Sequence, residues 1–323
     1  MKREQLIQKI NHCATHHIPF LVIVDFDLEK PVLYTEEELQ KEEIYFQTTL
    51  GKRLPEKGPL PHPIRFEKAP LPFPFYQKRF EKVQQHIDHG DTFLLNLTFP
   101  TTVNSNLSLR NIFDHSEAKY KLLYKNHFVC FSPETFVTIR GNKISSNPMK
   151  GTIDGTRKEA RAILLSDGKE LAEHHTIIDL IRNDLSMVAS SVKVAKYRYI
   201  DTITTHEGTL LQMSSEIEGT LPDDFRAHLG ELIFTLLPAG SISGAPKKKT
   251  VEVIHESEVD QRGYYTGIFA WYDGQNLDSA VIIRYLEEAE GTLRYRSGGG
   301  ITTMSDARKE YEELIDKVYV PIV

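Results

Sequence analysis

Strand-like segments follow one another in this sequence with turns rather than helices between them. The segment "TFVTIRGNKISS" at 135–146 reverses at Gly141 and Asn142, and "SVKVAKYRYI" at 191–200 is soon followed by "TLLQMSSEIEG" at 209–219. Short connections join antiparallel strands, whereas parallel strands need long and usually helical crossovers. The pattern therefore predicts an α+β fold, in which large antiparallel β-sheets form a sandwich with helices packed outside.

Helices are expected where apolar residues recur three and four positions apart. The segments with this spacing are 3–17, 75–90, 156–167, 169–189, 223–236 and 305–318. Seven of the 16 prolines lie between Pro55 and Pro74, where they fix φ and remove backbone donors, so an extended connector is expected there. We expect residues 1–70 to form a short N-terminal α+β segment with this connector, packed on a main domain at 71–323.

Charge and cysteine content exclude several classes of protein. The 39 basic and 45 acidic residues give a formal charge of -6 without a basic block, which argues against a nucleic-acid partner. No apolar run approaches the ~18 residues of a membrane span, and the start "MKREQLIQKI" lacks an apolar signal core, so we expect a cytoplasmic protein with no membrane partner. Cys13 and Cys130 lack the spacing of a zinc or redox site and are interpreted as ordinary thiols.

Two predicted helices carry carboxylates that could hold a metal ion. Glu310 and Glu313 lie three apart in "SDARKEYEELIDKV" and share a helix face, where like charges repel unless a cation is opposite. Mg2+ takes oxygen ligands, and one or two carboxylates from separate helices suffice. Glu173 lies in the helix "KELAEHHTIIDLIRNDLSMV", which has many polar residues. The alternative is that both helices simply expose solvated polar faces.

Two glycine-rich loops and one arginine point to an anion. The loops, "PAGSISGAPKKKT" at 238–250 and "SGGGI" at 297–301, would let backbone N–H groups approach an anion closely, although both could be simple turns. The first departs from the spacing of a nucleotide-binding loop, and Pro246 removes a donor, which disfavours that interpretation. Arg284 interrupts the apolar strand predicted at "SAVIIRYLE" and needs a carboxylate partner, from the protein or from a ligand.

One lysine and one glutamate are candidates for chemistry. Lys150 lies in "NPMKGT", where Pro148 and Gly151 constrain the backbone on both sides. An amine held away from water loses some preference for its charged form and can become a nucleophile. Glu134 lies in "FSPETF", at the junction of two predicted strands, and could be a general acid or base. An ordinary solvated lysine and a plain carboxylate at a strand end are the alternatives.

Eight segments between about residues 76 and 318 resemble, in the same order, the chorismate-utilising enzymes, and most closely the aminodeoxychorismate synthase component I family. They are "GDTFLLNLT", "FSPETF", "NPMKGT", "LAEHHTIIDLIRNDL", "PAGSISGAPKKKTVEVI", "RGYYTGIFAWY", "AVIIRY" and "SGGGITTMSDARKEYEELIDK". The resemblance implies the chorismate-utilising enzyme fold and makes 71–323 the chorismate-binding catalytic domain.

The resemblance also implies a reaction and a cofactor. Lys150 would attack C2 of chorismate with loss of the C4 hydroxyl, Glu134 would act as acid and base, and ammonia would add at C4 and release the enzyme. The product would be 4-amino-4-deoxychorismate, for p-aminobenzoate and folate synthesis. Relatives that make anthranilate or isochorismate have alanine where Lys150 stands. Glu173 and Glu313 would be Mg2+ ligands, with Glu310 in the same cluster.

A further set of residues would bind the substrate by the same resemblance: Arg284, Tyr265, Gly298, Gly299, Gly300, Thr152 and Ser243. The first five would hold the enolpyruvyl carboxylate, and the last two would lie near the ring. Ammonia would come from a separate glutamine amidotransferase subunit, because the N-terminal part lacks the length and the nucleophile cysteine of such a domain.

The alternative function is that of an anthranilate synthase component I or of another chorismate-utilising enzyme. Two departures from the family bear on the choice. Gln212 stands where many relatives have histidine, which argues against a proton donor for pyruvate elimination. Leu94 stands where isochorismate-forming relatives have a lysine base, which argues against hydroxylation.

Overall fold

The structure is a computed structural model that describes residues 2–166, 168–205 and 208–322. Within these ranges the description omits the side chains of residues 150, 152, 169, 170, 172, 203–205, 208 and 210. The side chains of the candidate nucleophile Lys150 and the candidate ring contact Thr152 therefore lie outside the described part of the chain, although their backbone is included.

Strands and helices occupy most of the described residues. The strands are β1 (Phe20–Val24), β2 (Val32–Thr35), β3 (Ile44–Gln47), β4 (Lys52–Arg53), β5 (Phe66–Ala69), β6 (Leu94–Ser105), β7 (Tyr120–Tyr124), β8 (Phe128–Ser132), β9 (Thr135–Arg140), β10 (Lys143–Ser146), β11 (Met149–Asp154), β12 (Ser190–Thr205), β13 (Gly208–Thr220), β14 (Gly244–Ala245), β15 (Ile268–Tyr272), β16 (Leu277–Val281), β17 (Tyr285–Ala289) and β18 (Thr292–Ile301). The helices are α1 (Arg3–Thr15), α2 (Glu36–Leu39), α3 (Phe73–Asp88), α4 (Leu109–His115), α5 (Ala160–Ser166), α6 (Gly168–Ser186), α7 (Leu229–Leu236), α8 (Gly240–Ser243), α9 (Lys247–Ser257) and α10 (Ala307–Asp316).

The strands form two large antiparallel sheets. The first has the order β11-β13-β10-β9-β16-β15-β1-β2, and β12 pairs with β13 at its edge. The second has the order β14-β6-β18-β17-β8-β7-β3-β4, and β5 pairs with β6. Together with the surrounding helices they confirm the predicted α+β class.

A layer of apolar side chains between the two sheets holds them together. Leu21 and Ile23 of β1 pack in one cluster with Phe128 and Cys130 of β8, which belongs to the other sheet. Because successive residues of a strand point to opposite faces, Phe20 and its alternate neighbours in β1 face away from this layer. Each such buried aliphatic side chain contributes about 1.5–3 kcal/mol relative to an exposed one.

Helices cover the outer faces of the sandwich. The outward side chains of β1 join a cluster with Leu6 and Ile10 of α1. On the second sheet, Phe131 of β8 packs in another cluster with Ile112 and Phe113 of α4. This arrangement confirms that helices lie outside the sheets. No helix in the described part of the chain combines the length and the apolar character that crossing a membrane requires.

The structure refines several predicted elements. The helix expected at 223–236 is a 3-10 turn at Phe225–His228 followed by α7, because the backbone at His228 departs from helical values with φ -128°. The proline-rich connector contains β5, which pairs along the edge of β6. From the first 70 residues, β1 and β2 join the first sheet, and β3 and β4 join the second. The division into segments 1–70 and 71–323 stays a prediction.

Candidate active site

The glycines of "SGGGI" lie in a strand rather than in a turn. Residues 298–300 belong to β18 and pair with residues 96–98 of β6. The missing side chain at Gly299 lets α10 approach, because a Cβ there would stand 3.1 Å from Glu310 Oε2 and 3.9 Å from Glu313 Oε1. The glycine run therefore provides a bare stretch of backbone against two carboxylates.

The two carboxylates of α10 meet at this backbone with different exposure. Glu310 is buried, with 3% of its surface exposed, whereas the side chain of Glu313 is half exposed. Lys317 Nζ lies 2.6 Å from Glu313 Oε1 and donates to the carbonyl of Gly298 at 2.9 Å. Burial raises the pKa of the neighbouring Tyr76, and the charges of Glu310 and Glu313 raise it further. Negative charge is thus concentrated here, and Lys317 is a cation in contact with it.

The donor chemistry at this place fits Mg2+. In the described residues no three His, Cys, Asp or Glu side chains form a ready-made metal site, and Glu173 is buried on α6 rather than on α10. Glu310 and Glu313 nevertheless present oxygen donors beside one glycine, and Mg2+ usually takes one or two carboxylates and keeps several waters. The structure therefore brings two of the three predicted ligands together, and their role stays a prediction.

An open pocket of about 210 Å³ adjoins the glycine strand. Its lining comes from four elements: Leu94 and Asn96 of β6, Gly300 of β18, Ser241 and Ser243 of α8, and Gly244 of β14. The hydroxyl of the buried Ser243 donates to the carbonyl of Ala239 at 2.9 Å. Predicted substrate-binding positions 243 and 300 therefore share one pocket.

The loop "PAGSISGAPKKKT" is built as a wall of this pocket and not as a phosphate cradle. Gly244 has φ 132° and pairs with β6, and a Cβ there would overlap the carbonyl oxygen of Leu94. Lys247 Nζ forms an ion pair with Asp184 Oδ2 at 2.8 Å and donates to the carbonyl of Leu236 at 3.0 Å. Burial raises the pKa of Asp184, although Lys247 opposes the shift. The lysine is thus engaged within the fold.

Glu134 lies between β8 and β9, at the strand junction that the sequence predicts. The hydroxyl of Ser241 donates a short hydrogen bond to Glu134 Oε1. Ser241 lines both the pocket described above and a second one of about 300 Å³, to which Ser146 of β10 contributes. Ser241 therefore connects Glu134 with both cavities.

The backbone of Lys150 lies at a break in strand pairing. The register between β11 and β13 shifts between Met149 and Thr152, and Gly151 has φ 76°. An irregularity of this kind turns a strand locally and redirects a side chain, and it is frequent beside active sites. The backbone conformation at position 151 thus favours glycine, because residues with a Cβ rarely adopt this φ.

Helix α6, which carries Glu173, packs against this irregular strand pair. The ring of His174 and the hydroxyl of Ser215 in β13 form a buried hydrogen bond of 2.8 Å. The amide of Ser215 donates to the carbonyl of Pro148, two residues before Lys150, at 3.1 Å. Two hydrogen bonds therefore link the helix of a predicted metal ligand to the strand of the predicted nucleophile.

Arg284 does not lie inside a strand, which corrects the prediction. The apolar run "SAVIIRYLE" is two strands, β16 and β17, and Arg284 occupies the bend between them with φ 52°. Its carbonyl accepts from the amide of Phe131 at 3.2 Å. A positive φ at a residue with a long side chain is uncommon and is often found at functional sites. Tyr285, the next residue, pairs with Arg296 of β18, two residues before the glycine run.

Tyrosines surround the guanidinium of Arg284. Burial lowers its pKa, but Tyr295, Tyr319 and Tyr265 raise it on balance. Tyr265 is buried, and burial raises its pKa to about 12 although Arg262 and Arg284 lower it. Predicted positions 265 and 284 therefore lie together. Among the described side chains no carboxylate forms an ion pair with Arg284, whereas Arg262 has an acidic partner.

Sequence reasoning missed Arg262, which joins two walls of the pocket. It is buried, and its guanidinium donates to the carbonyl of Ile242 at 3.2 Å and to that of Asn96 at 2.5 Å. Glu258 holds it at 2.6 Å. The only local signal was an arginine in "RGYY", and nothing in the sequence connects it with residue 96. Lys317 was missed for the same reason, because its partner Gly298 lies in another element.

Comparisons with known proteins concern the family and the fold of this chain. The sequence pattern of the chorismate binding enzymes matches residues 8–322. An uncharacterized PabA-like protein of Haemophilus influenzae is 49% identical over 99% of this chain and 97% of its own length. Aminodeoxychorismate synthase component 1 of Bacillus subtilis is 30% identical over 78% of this chain, which spans 55% of that protein.

Other relatives carry out different reactions. An anthranilate synthase component 1 of Haloarcula marismortui is 34% identical over 75% of this chain and 51% of its own length. Among solved structures, the menaquinone-specific isochorismate synthase MenF from Escherichia coli has a TM-score of 0.69, covering 97% of this chain and 80% of that one. Its sequence identity is 16%, so this likeness concerns the fold alone.

Proposed function

Because this chain belongs to the family of chorismate binding enzymes, we propose that it is component I of an aminodeoxychorismate synthase. The family makes the chain an enzyme that acts on chorismate. The finer assignment is that it converts chorismate and ammonia to 4-amino-4-deoxychorismate, which would serve p-aminobenzoate and folate synthesis. The relative from Bacillus subtilis supports this assignment over about three quarters of the chain.

The position of Lys150 is the observation that carries the proposal. Anthranilate- and isochorismate-forming relatives have alanine there. In this chain the lysine lies where the pairing of β11 and β13 shifts, directly before Gly151 with its φ of 76°. Such a backbone can direct an amine away from the plane of the sheet, and a nucleophile needs that freedom to approach a ring carbon.

The proposed reaction balances without an oxidant or reductant. The neutral amine of Lys150 forms a bond to C2, the ring double bonds shift, and the C4–O bond breaks. Glu134 donates the proton with which the leaving hydroxide departs as water. Ammonia then forms a bond to C4, the double bonds shift back, and the bond between C2 and the lysine breaks with its electron pair returning to the amine. The carboxylate of Glu134 takes the proton that the new ammonium group at C4 loses, which restores the starting state. The hydrogen bond from Ser241 orients the carboxyl of Glu134 at the cavity for this proton transfer.

Binding of the substrate would use the glycine strand and its neighbours. Arg284 and Tyr265, with the backbone of residues 298–300, would take the enolpyruvyl carboxylate, while Ser243 and Thr152 would lie near the ring. Glu310 and Glu313, with Glu173, would hold Mg2+. When bound, this ion would withdraw electrons from the ring through its carboxylate.

The alternative is anthranilate synthesis, and Gln212 bears on it. In β13 this residue pairs with Thr152 of β11 on one side and with Asp201 of β12 on the other, so it lies next to the strand of Lys150. Pyruvate elimination needs a proton donor, and a glutamine amide does not titrate. The substitution of the family histidine by Gln212 therefore favours amination at C4 without loss of pyruvate.

The ammonia would come from a separate glutamine amidotransferase. We propose this partner because aminodeoxychorismate synthase component I is one part of a two-component enzyme, and this chain resembles that component. High ammonium should replace the partner in a test, so the chain can be assayed by itself.

The test is incubation with chorismate, Mg2+ and ammonium, with and without added aminodeoxychorismate lyase. We expect p-aminobenzoate only when the lyase is present, and no anthranilate fluorescence in either case. Anthranilate formed together with pyruvate by the chain alone would establish the alternative function instead.

A lysine variant tests the mechanism. Lys150→Ala should lose activity at least about a hundredfold, because the covalent step is removed. Lys158→Ala changes an exposed lysine of the following loop and should retain activity. Mass spectrometry of the wild-type protein quenched with chorismate should find the added ring on Lys150. Full ammonia-dependent turnover by Lys150→Ala would rule out covalent catalysis by this residue.

A further inference from the structure

We propose that Tyr319 positions the guanidinium of Arg284 for the carboxylate of the substrate. The ring of Tyr319 lies over this guanidinium, with 5.5 Å from Arg284 Cζ to the ring centroid. Tyr319 follows α10 and lies beyond the helix that carries the predicted metal ligands. The inference deepens the proposed function and rests on it, because it takes Arg284 as a substrate-binding residue.

The chain after α10 is built to hold Tyr319 in this place. Residues 318–322, called here the closing segment, alternate in the direction of their side chains: Val318, Val320 and Ile322 pack into a core cluster with α4. The carbonyl of Pro321 accepts from the amide of Glu117 at 3.2 Å, and residue 322 forms a bridge with residue 116. Because residues 318, 320 and 322 all face the core cluster, the side chain of residue 319 points to the opposite side of the segment, where Arg284 lies.

Arg284 needs such a positioning residue because none of the acidic side chains that the structure describes forms an ion pair with it. The other buried arginines of the described chain are held by carboxylates: Arg262 by Glu258, and Arg296 by Asp260 and Glu287. The groups that face Arg284 are tyrosines. An unpaired guanidinium in a partly buried place is suited to an anionic ligand, provided that its orientation is set beforehand.

Tyr319 can set this orientation in two ways, because its ring lies over the guanidinium and its hydroxyl forms a hydrogen bond with it. A guanidinium has five N–H donors, so the others stay available for a bidentate contact with a carboxylate. Tyr319 is 45% exposed, so it contributes little to the core and its replacement should leave the fold intact. Loss of the ring should affect substrate binding rather than the chemical steps.

The expected signature is a change in KM without a change in kcat. Tyr319→Leu should raise KM for chorismate about three- to tenfold and leave kcat within about twofold, as is typical when binding common to ground and transition states is lost. Tyr319→Phe keeps the ring but loses the hydroxyl that bonds to the guanidinium, so its KM should lie between those of wild type and Tyr319→Leu, again with kcat within about twofold.

Phe75 offers a matched control for the loss of an exposed aromatic ring. It is 42% exposed, and Arg79 Cζ lies 5.5 Å from its ring centroid, the same distance as in the proposed contact. Phe75→Leu should leave KM for chorismate unchanged. An equal rise of KM in Phe75→Leu and Tyr319→Leu would overturn the proposal, because it would indicate a general loosening of the protein.

A second measurement does not depend on activity. The Nε–H resonance of Arg284, assigned by its absence in Arg284→Lys, should carry a ring-current shift that persists in Tyr319→Phe and disappears in Tyr319→Leu. An unmoved resonance, or an unchanged KM in Tyr319→Leu, would overturn the positioning role. A wild-type protein that neither binds nor converts chorismate would refute the proposed function instead, and the resonance would still decide the role of Tyr319.

Discussion

Replacing Glu258 by glutamine should destabilise the protein and loosen one wall of the pocket. Glu258 Oε1 accepts from Arg262 Nη2 at 2.6 Å, and its Oε2 accepts from Arg262 Nε at 2.9 Å. The two side chains are only 4% and 1% exposed. In Glu258→Gln an amide N–H2 would face a guanidinium donor, and the buried positive charge would lose its counter-ion.

The size of the effect follows from the burial of the pair. Removing one partner of a buried ion pair costs about 3–5 kcal/mol, because the remaining charge stays buried without compensation. Arg262 keeps acceptors on Ile242, Asn96 and Thr266, so a loss near 3 kcal/mol is expected, a large share of the ~5–15 kcal/mol of a typical protein. The walls that Arg262 joins should then separate, and kcat/KM for chorismate should fall about tenfold, or 1.4 kcal/mol.

Urea unfolding, followed by the fluorescence of Trp271, the single tryptophan, measures the loss in free energy of unfolding. Chorismate kinetics measure the fall in kcat/KM. Glu252→Gln is the control, since its pair with Lys249 is 50% and 44% exposed and should contribute less than about 1 kcal/mol. The double variant Arg262→Met with Glu258→Gln should regain most of the stability but not kcat/KM. Glu258→Gln with a free energy of unfolding within about 1 kcal/mol of wild type would refute this reasoning.

Two further predictions concern the loop wall and the carboxylates. Lys247→Met leaves the buried Asp184 unpaired and should lower the free energy of unfolding by about 3 kcal/mol at pH 7 in urea titrations. Burial already raises the pKa of Asp184 above 3.8, and losing Lys247 raises it further. The folded protein then binds this proton more readily than the unfolded chain, so the deficit should shrink as the pH falls towards 4. Glu310→Gln should weaken Mg2+ binding in calorimetry at least about tenfold, and Glu312→Gln, on the exposed face of α10, should not. Equal Mg2+ affinity in both variants would contradict a role of Glu310 in the metal site.

The parts of the site that depend on local structure could be predicted from the sequence. The sequence predicts a strand junction at Glu134 because one strand-like segment ends just before it and another begins just after it. The structure has β8 and β9 at these places. Glu310 and Glu313 share a face because helical geometry alone brings residues three apart together. Both carboxylates can lie beside residue 299 because this residue is a glycine and has no side chain.

The parts that depend on distant segments could not be predicted in this way. The run around Arg284 contains no glycine or proline, so its pattern favours one strand, and only the packing of β16 and β17 in different sheets imposes the bend. Arg262 gains its role from Asn96, which lies 166 residues away in the sequence. Contacts of this range leave no periodic signal in a single sequence.

The place of β1 in the first sheet has a consequence for synthesis on the ribosome. Its five residues are fully buried between β2 and β15, so the strand lacks one neighbour until Ile268–Tyr272 has been made. At ~5–20 residues per second, the intervening ~245 residues take about 12–50 s. During this time "FLVIV" is an apolar strand with an open edge, the type of segment to which chaperones bind and from which aggregation starts. Nascent chains of this enzyme should therefore depend on chaperones until β15 closes the sheet.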